Sequence, residues 1–401
     1  MRLSTSLLGL VAATTAVLLS IVSATHEAAT ADDSVTMYVG GYTRNEGWVN
    51  GQSKGVYTFA FFPGNGTLKE KSVTAAGINP TFLRGTKVAS SGKKQFLYAT
   101  NECSETSKDV PGTTTGYVVA MEVTATGLKV LNQKETRGSQ PAHVSVSPNE
   151  NFIAISMYGG GGVIMYPIKT DGSLDTPSDS HFYTGGSKVG ASQDAAHLHS
   201  TTWVSGSNVV FAADLGNDQI VQYTLNAGTK KLVNTTLPII KRPPGSGPRH
   251  MALHPTGKIA YVVDEISNTI GVYQLNSDKS LPKNVAQTIS TLPAGYTQAS
   301  SSADICVSDD GNFVYSSNRG HNSIAVFKVV SQTIGTLQLV GFESSRGDGP
   351  RSFVVYKNFL IVANMNSNNI VVFQRNADGT LTYSGNSVSN PTPSSLFIPA
   401  V

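Results

Sequence analysis

Arginine and histidine recur at matching places along the chain. Arg249 stands fifteen residues before Asp264, and His199 stands the same fifteen before Asp214. Arg351 falls thirteen before Asn364, in a segment without the Pro255-Thr256-Gly257 turn of the Arg249 segment, so it can occupy the same place. Each of these residues opens a short β-prone run that a second run follows, and along the chain five of these second runs close on a polar or charged side chain: Tyr42, Glu102, Tyr158, Glu265 and Arg319. If the two runs are antiparallel neighbours, the start of one and the end of the next share an edge. That edge would gather His143, His197, His199, Arg249, His250 and Arg351 with Tyr42, Glu102, Tyr158, Glu265 and Arg319, while Asp304 falls one position out of register. Cations, imidazoles and carboxylates crowded around one opening are unfavourable unless they bind something. His143, His250 and His254 have a second reading, as hydrogen-bonding posts between neighbouring strands.

The elements that must position these residues form a repeat. A β-branched and aromatic run ends at Tyr42, Glu102, Tyr158, Leu215, Glu265, Arg319 and Met365, seven times at intervals of 60, 56, 57, 50, 54 and 46 residues. A second alternating strand follows each, as in Gly55-Val56-Tyr57 or Ser323-Ile324-Ala325, then an Asn-Gly or Asp-Gly turn and a leucine, as at Asp171-Gly172-Ser173-Leu174. Another strand precedes most copies, for example Pro248-Arg249-His250. Four strands at a period of about fifty residues predict a β-propeller blade. The chain starts on the second strand of a blade and ends with Asn390-Pro391-Thr392 leading into Ser395 to Ile398, a tail like Asn79-Pro80-Thr81-Phe82-Leu83. The expected fold is therefore all-β, a seven-bladed propeller of residues 35–401 whose C-terminal strand closes the ring against the N-terminal segment.

Composition excludes several classes. With 401 residues, 39% apolar, 39 Gly, 18 Pro and 14% charged residues, the chain is globular and poor in the composition of long helices. A net charge of +3 with dispersed Lys and Arg gives no basic stripe for nucleic acid. The apolar run Leu7 to Val22 after Met1-Arg2, ending in Val22-Ser23-Ala24, reads as a signal peptide of residues 1–24, followed by a short segment 25–34. A secreted protein without a membrane partner after cleavage is expected, an uncleaved anchor being the alternative. Asn65-Gly66-Thr67 and Asn234-Thr235-Thr236 are glycosylation triplets if the source is eukaryotic. Two cysteines, Cys103 and Cys306, leave a disulfide open. CxxC, HExxH and GxSxG are absent, so a zinc site or serine triad has no support, and no metal or cofactor is expected. Gly159 to Gly162 reads as a hairpin and not as a phosphate cradle.

Met37 to Thr43, Gly247-Pro248-Arg249-His250, Asp264-Glu265-Ile266-Ser267-Asn268-Thr269, Ser317 to Phe327 and Gly349-Pro350-Arg351-Ser352-Phe353 resemble the lactonase family of seven-bladed propellers. That family includes 6-phosphogluconolactonases and 3-carboxy-cis,cis-muconate cyclases. The resemblance implies His199, Arg249, Glu265 and Arg319 as catalytic residues. Arg249 and Arg319 would clamp a substrate carboxylate and an oxyanion, and Glu265 or His199 would move the proton. Arg351, His197, His143, Glu102 and Tyr42 would contact the substrate, a small lactone or carboxylate. Asp264 departs from the usual Asn of the family, and a second carboxylate there would raise the pKa of Glu265. A secreted propeller that only binds an anionic ligand or a partner protein is the alternative. Export disfavours a phosphorylated intermediate as substrate.

Overall fold

The computed structural model describes residues 34–87, 94–104 and 115–400. The expected signal peptide and nearly all of segment 25–34 lie outside the described residues. Seven four-stranded antiparallel sheets stand around one axis, each ordered a, b, c, d from the centre outward. The a and b strands, which build the site, are Pro393–Phe397 and Val35–Gly41 in blade 1, Pro80–Gly85 and Phe96–Asn101 in blade 2, and Pro141–Val146 and Phe152–Met157 in blade 3. Blades 4 and 5 use Leu198–Trp203 with Val209–Asp214, and Pro248–Leu253 with Ile259–Asp264. Ser301–Val307 with Phe313–Arg319 and Pro350–Tyr356 with Phe359–Asn364 complete blades 6 and 7.

The b and c strands read as continuous apolar runs because both faces of every blade are covered by a neighbour. In strand b of blade 1, Tyr38 packs with Leu83 and Leu97 of blade 2, while Met37 and Val39 pack with Ile361 and Ala363 of blade 7. The same alternation fills every junction between adjacent blades with an apolar cluster. A single blade would expose both faces, so the ring is the folding unit.

Local turns reinforce the junctions. The Asp171 carboxylate accepts from the Ser173 amide at 3.0 Å and from its hydroxyl at 2.6 Å, and Asp278-Lys279-Ser280 and Asp378-Gly379-Thr380 repeat this turn. Gly172, at φ +83°, lies flat on Phe96 of blade 2, where a Cβ would come within 2.0 Å of the ring. Its carbonyl accepts from the Tyr98 hydroxyl at 3.1 Å. Gly159 to Gly162 form the hairpin between strands b and c of blade 3, as expected.

Ring closure is as the phase of the repeat predicts: Val39 faces Leu396 and Gly40 faces Ser395. The tail alignment shifts by two residues, however. Pro393 faces Gly41 as Pro80 faces Asn101, so Thr392 (φ 44°) corresponds to Asn79 (φ 47°), the position that Asn390 was expected to fill. Cys103 packs at the junction of blades 1 and 2 and Cys306 against that of blades 6 and 7, and no disulfide joins them.

Candidate active site

Two rings of residues lie at one mouth of the channel. The outer ring comes from Arg319, the last residue of its strand b, and from the residues that directly follow the other six strands b: Tyr42, Glu102, Tyr158, Leu215, Glu265 and Met365. The inner ring comes from a register break at the start of strand a. Pro248 faces Asp264 and His250 faces Val263, leaving Arg249 as an extra residue between them. The same break frees His199 in blade 4, Arg351 in blade 7, Thr81 in blade 2 and Ala142 in blade 3. A bulge takes one residue out of strict alternation and re-aims its side chain. In blade 6 the break is wider, from Ser302 to Ile305, which is why Asp304 fell out of register in the sequence.

Alternation also explains the residue before each strand b end. Asn101, Asp214, Asp264, Asn318 and Asn364 are all fully buried and point into the blade. There they tie down loops: Asn101 donates to the carbonyls of Ala76 and Ile78, Asn318 to Thr291, and Asn364 to Ser345. Asp264 belongs to this set. It pairs with buried Arg242, whose Nε donates to Oδ1 at 3.2 Å and whose Nη2 reaches Oδ2. The expectation that Asp264 would raise the pKa of Glu265 is therefore corrected. Arg242 neutralises this carboxylate, and the Glu265 pKa is instead lowered. Removing one member of a buried pair strands the other, so Arg242→Ala should cost about 3–5 kcal/mol in urea unfolding. Arg242→Met with Asp264→Asn should recover most of that loss.

The mouth opens into a cavity of about 420 Å³ lined by Trp48, Glu102, Gln140, Tyr158, Ser192, His199, Glu265, Arg319 and Arg351. At its centre the two Glu265 oxygens are divided between two arginines, with Arg249 Nε at 2.9 Å from Oε2 and Arg319 Nη2 at 3.0 Å from Oε1. Arg249 does not reach the wall as the resemblance implied. It is 2% exposed, and Nη1 donates to the Ala303 carbonyl at 2.6 Å beneath Glu265. The guanidinium groups on the cavity wall are Arg319 and Arg351. Arg351 Nη2 donates to the Tyr42 hydroxyl at 2.8 Å, and Tyr42 donates to Glu102 at 2.8 Å, so Tyr42, 1% exposed, supports the wall from behind.

The remaining histidines divide by depth. His197 is stacked on Tyr158 at 4.4 Å and bonded to its carbonyl and to Asp194, which fixes Tyr158 against the cavity without lining it. His143 lies one layer down the channel, 4.1 Å from the Phe82 ring, and misses the cavity because it follows the bulge residue Ala142. His250 shares that layer, with Nδ1 at 2.9 Å from Asp304. His254 lies beyond strand a, held by Thr256 and the Gly311 carbonyl as a post between blades.

Electrostatics sort the groups by protonation state. Burial works to raise the Glu265 pKa, but Arg319, Arg249 and Arg351 outweigh it and keep the group ionised. For His199, burial and then the charges of Arg249, His250, Arg351 and Arg319 drive the pKa well below 6.5, so the ring is neutral at neutral pH. Its Nδ1 is buried with no hydrogen-bond partner, and so is Nε of Arg319. Among the described residues no group of three or more His, Cys, Asp or Glu could hold a metal ion.

Sequence reasoning missed Trp48, Gln140 and Ser192, and placed Tyr158 at the opening without assigning it a role. Trp48 hangs from the loop between strands b and c of blade 1, edge-on to Tyr42 at 5.0 Å and 57% exposed. Gln140 is signalled only by the Pro141 that follows, the same place that Asn79 holds before Pro80.

The family model "Lactonase, 7-bladed beta-propeller" matches residues 36–398. A 6-phosphogluconolactonase of Bacillus subtilis is 34% identical over 359 residues, covering 89% of this chain and 96% of that protein. A 6-phosphogluconolactonase of Formosa agariphila is 31% identical, covering 85% and 93%. The structure of a Pseudomonas aeruginosa periplasmic gluconolactonase superposes with a TM-score of 0.80 at 28% identity, over 92% of this chain and 99% of that one. With its ring of seven blades and a match along nearly all of their length, the chain belongs to the seven-bladed β-propeller lactonase family, a family of lactone-hydrolysing enzymes.

Proposed function

We propose that the mouth cavity opens unphosphorylated lactones, sugar-derived or carboxylated, by acid–base chemistry without a metal ion. The observation that carries this reading is the pair of unpartnered buried nitrogens, His199 Nδ1 and Arg319 Nε, on residues lining one cavity. A lactone carbonyl beside Arg319 and Arg351 would develop its oxyanion against two guanidinium groups, which supply the electrophilic assistance. Neutral His199 takes a proton from water as the oxygen adds to the carbonyl carbon. It returns that proton to the ring oxygen as the ester bond breaks, giving a hydroxy acid. The arginine charges that depress the His199 pKa are offset as the oxyanion forms, so the ring gains basicity when it is needed. Glu265 keeps Arg249 and Arg319 in place.

Charge supports the substrate class. Arg249, Arg319 and Arg351 against Glu102 and Glu265 leave one net positive charge, which matches one developing negative charge. A phosphate monoester would bring about −1.5 to −2, and no lysine lines the cavity. Trp48 and Tyr158 offer ring faces for the apolar side of a sugar or of a muconolactone. Similarity to the Pseudomonas aeruginosa protein, a periplasmic gluconolactonase, supports an unphosphorylated substrate and export through residues 1–24. No helix among the described residues is long and apolar enough to cross a membrane.

A panel of sugar, carboxylated and phosphorylated lactones, assayed for hydrolysis with calorimetric binding in parallel, tests the reading. Turnover should be fastest on the unphosphorylated members; binding without turnover of any lactone would refute it. The pH profile tests the base. Because the active form of His199 is neutral and its pKa is depressed, kcat/KM should hold as pH falls through 6.5 and decline only well below. His199→Gln should lose about 10²–10⁴ in kcat. An acid limb centred at or above 6.5 would exclude His199 as the base.

A further inference from the structure

Where the inner strands end, at the opposite end of the channel from the mouth, blades 2 to 5 enclose a second cavity of about 300 Å³. Arg84, His143, Ser145, Thr201, Trp203 and Met251 line it. It is not the floor of the mouth cavity. Phe82, His143 and His250 close the channel between the two, with ring centroids 4.1 Å apart for Phe82 and His143 and 5.3 Å for His143 and His250.

Two residues of this wall, Arg84 and Trp203, carry donors that the protein leaves largely or wholly without acceptors. Arg84 makes no ion pair among the described residues; Nη1 donates only to the Leu83 carbonyl, at 2.8 Å, and the guanidinium lies 4.6 Å over the Phe82 ring. Burial lowers its pKa, and the charge of Asp304 opposes this only in part. Asp304 is already engaged by His250 and by the amides of Ile305 and Phe353. Trp203 is 8% exposed, and its indole nitrogen, a donor only, is buried without a partner. The Ser145 and Thr201 hydroxyls lie 2.7 Å apart and Thr201 also donates to the Ala154 carbonyl at 3.1 Å, so this pair is satisfied within the protein and gives the wall a polar edge without a spare donor.

We infer that this cavity is a second binding site, for a small monocarboxylate. Arg84 supplies the one cation, and the planar guanidinium matches a carboxylate in two parallel hydrogen bonds. His143 adds no charge, because burial, then His250 and the arginines, keep it neutral. Met251 and Val146 give the short chain of the ligand an apolar surface. Opening of an uncharged lactone produces a monocarboxylate, so under the proposed function one product of the mouth chemistry is of the class this site would take.

The two tryptophans of the chain make the test direct, since Trp48 stands at the mouth and Trp203 at this cavity. In Trp48→Phe protein, Trp203 is the remaining indole. Sodium acetate replacing sodium chloride at constant ionic strength should change its fluorescence saturably, in the millimolar range. The change should persist when Arg319→Ala disables the mouth. It should weaken at least about tenfold in Arg84→Met, with Arg84→Lys intermediate. Circular dichroism checks that these variants are folded. The absence of a saturable change with Arg84 intact overturns the proposal whatever happens to the variants, and so does an unchanged isotherm in folded Arg84→Met.

Discussion

Arg319→Ala and Glu265→Gln proteins that remain folded should each lose about 10²–10³ in kcat/KM for lactone opening, the cost of removing one donor from a preorganised oxyanion site. The two changes reach that loss by different routes. Arg319→Ala removes a guanidinium from the cavity wall, including the Nε that has no partner in the protein. Glu265→Gln leaves the shape but removes the charge that both Arg249 and Arg319 share. The uncompensated arginines then repel one another and lose their alignment. The extra positive charge also lowers the His199 pKa further and weakens the base. Because the arginines and the carboxylate work as one unit, the double variant should be scarcely worse than the poorer single one. Wild-type rates in both single variants would remove the chemistry assigned to this cavity.

Deletion of residues 390–401 should abolish the folded monomer. That stretch is the inner strand of blade 1, and it also reaches blades 2 and 7. Ser394 donates to the Thr81 carbonyl at 2.8 Å, the Leu83 amide donates to Ser395 at 3.2 Å, and Leu396 is buried between Val39 and Ile361. Its loss opens the ring on both sides and unpairs the edge of Val35–Gly41. A domain is held by only about 5–15 kcal/mol in total, and an opened ring forfeits two junctions at once. Gel filtration and circular dichroism of the truncated protein should show aggregation or loss of the cooperative transition. Fusing the same strand ahead of Val35 through a short turn should restore both.

Much of this was legible in the sequence because it depends on local pattern. The blade count follows from runs such as Phe96–Asn101 and Ile259–Asp264, whose composition is dictated by cover on both faces. The gathering of Glu102, His199, Glu265, Arg319 and Arg351 follows from the antiparallel order of strands a and b. What escaped depends on single-residue geometry. The position of Arg249 in the repeat equals that of His199, yet only His199 reaches the cavity, because Arg249 is drawn under Glu265 by the Ala303 carbonyl. Asp264 and Glu265 are adjacent in sequence and opposite in direction, so their nearness carried no electrostatic coupling of the kind expected. Trp48 and Ser192 sit on connections whose length and path no repeat dictates.

The pairing of Gly40 with Ser395 has a consequence for synthesis. The ribosome delivers Val35–Gly41 at the start and its partner more than 350 residues later, so at ~5–20 residues per second the first strand waits roughly 20–70 s for its neighbour. Throughout that interval its hydrogen-bonding edge is open beside a nascent array of half-closed sheets, the state most prone to pairing with another chain. Yield of the protein should therefore depend on what shields the short strand Val35–Gly41 until Pro393–Phe397 leaves the ribosome, and slower translation should lengthen that exposure.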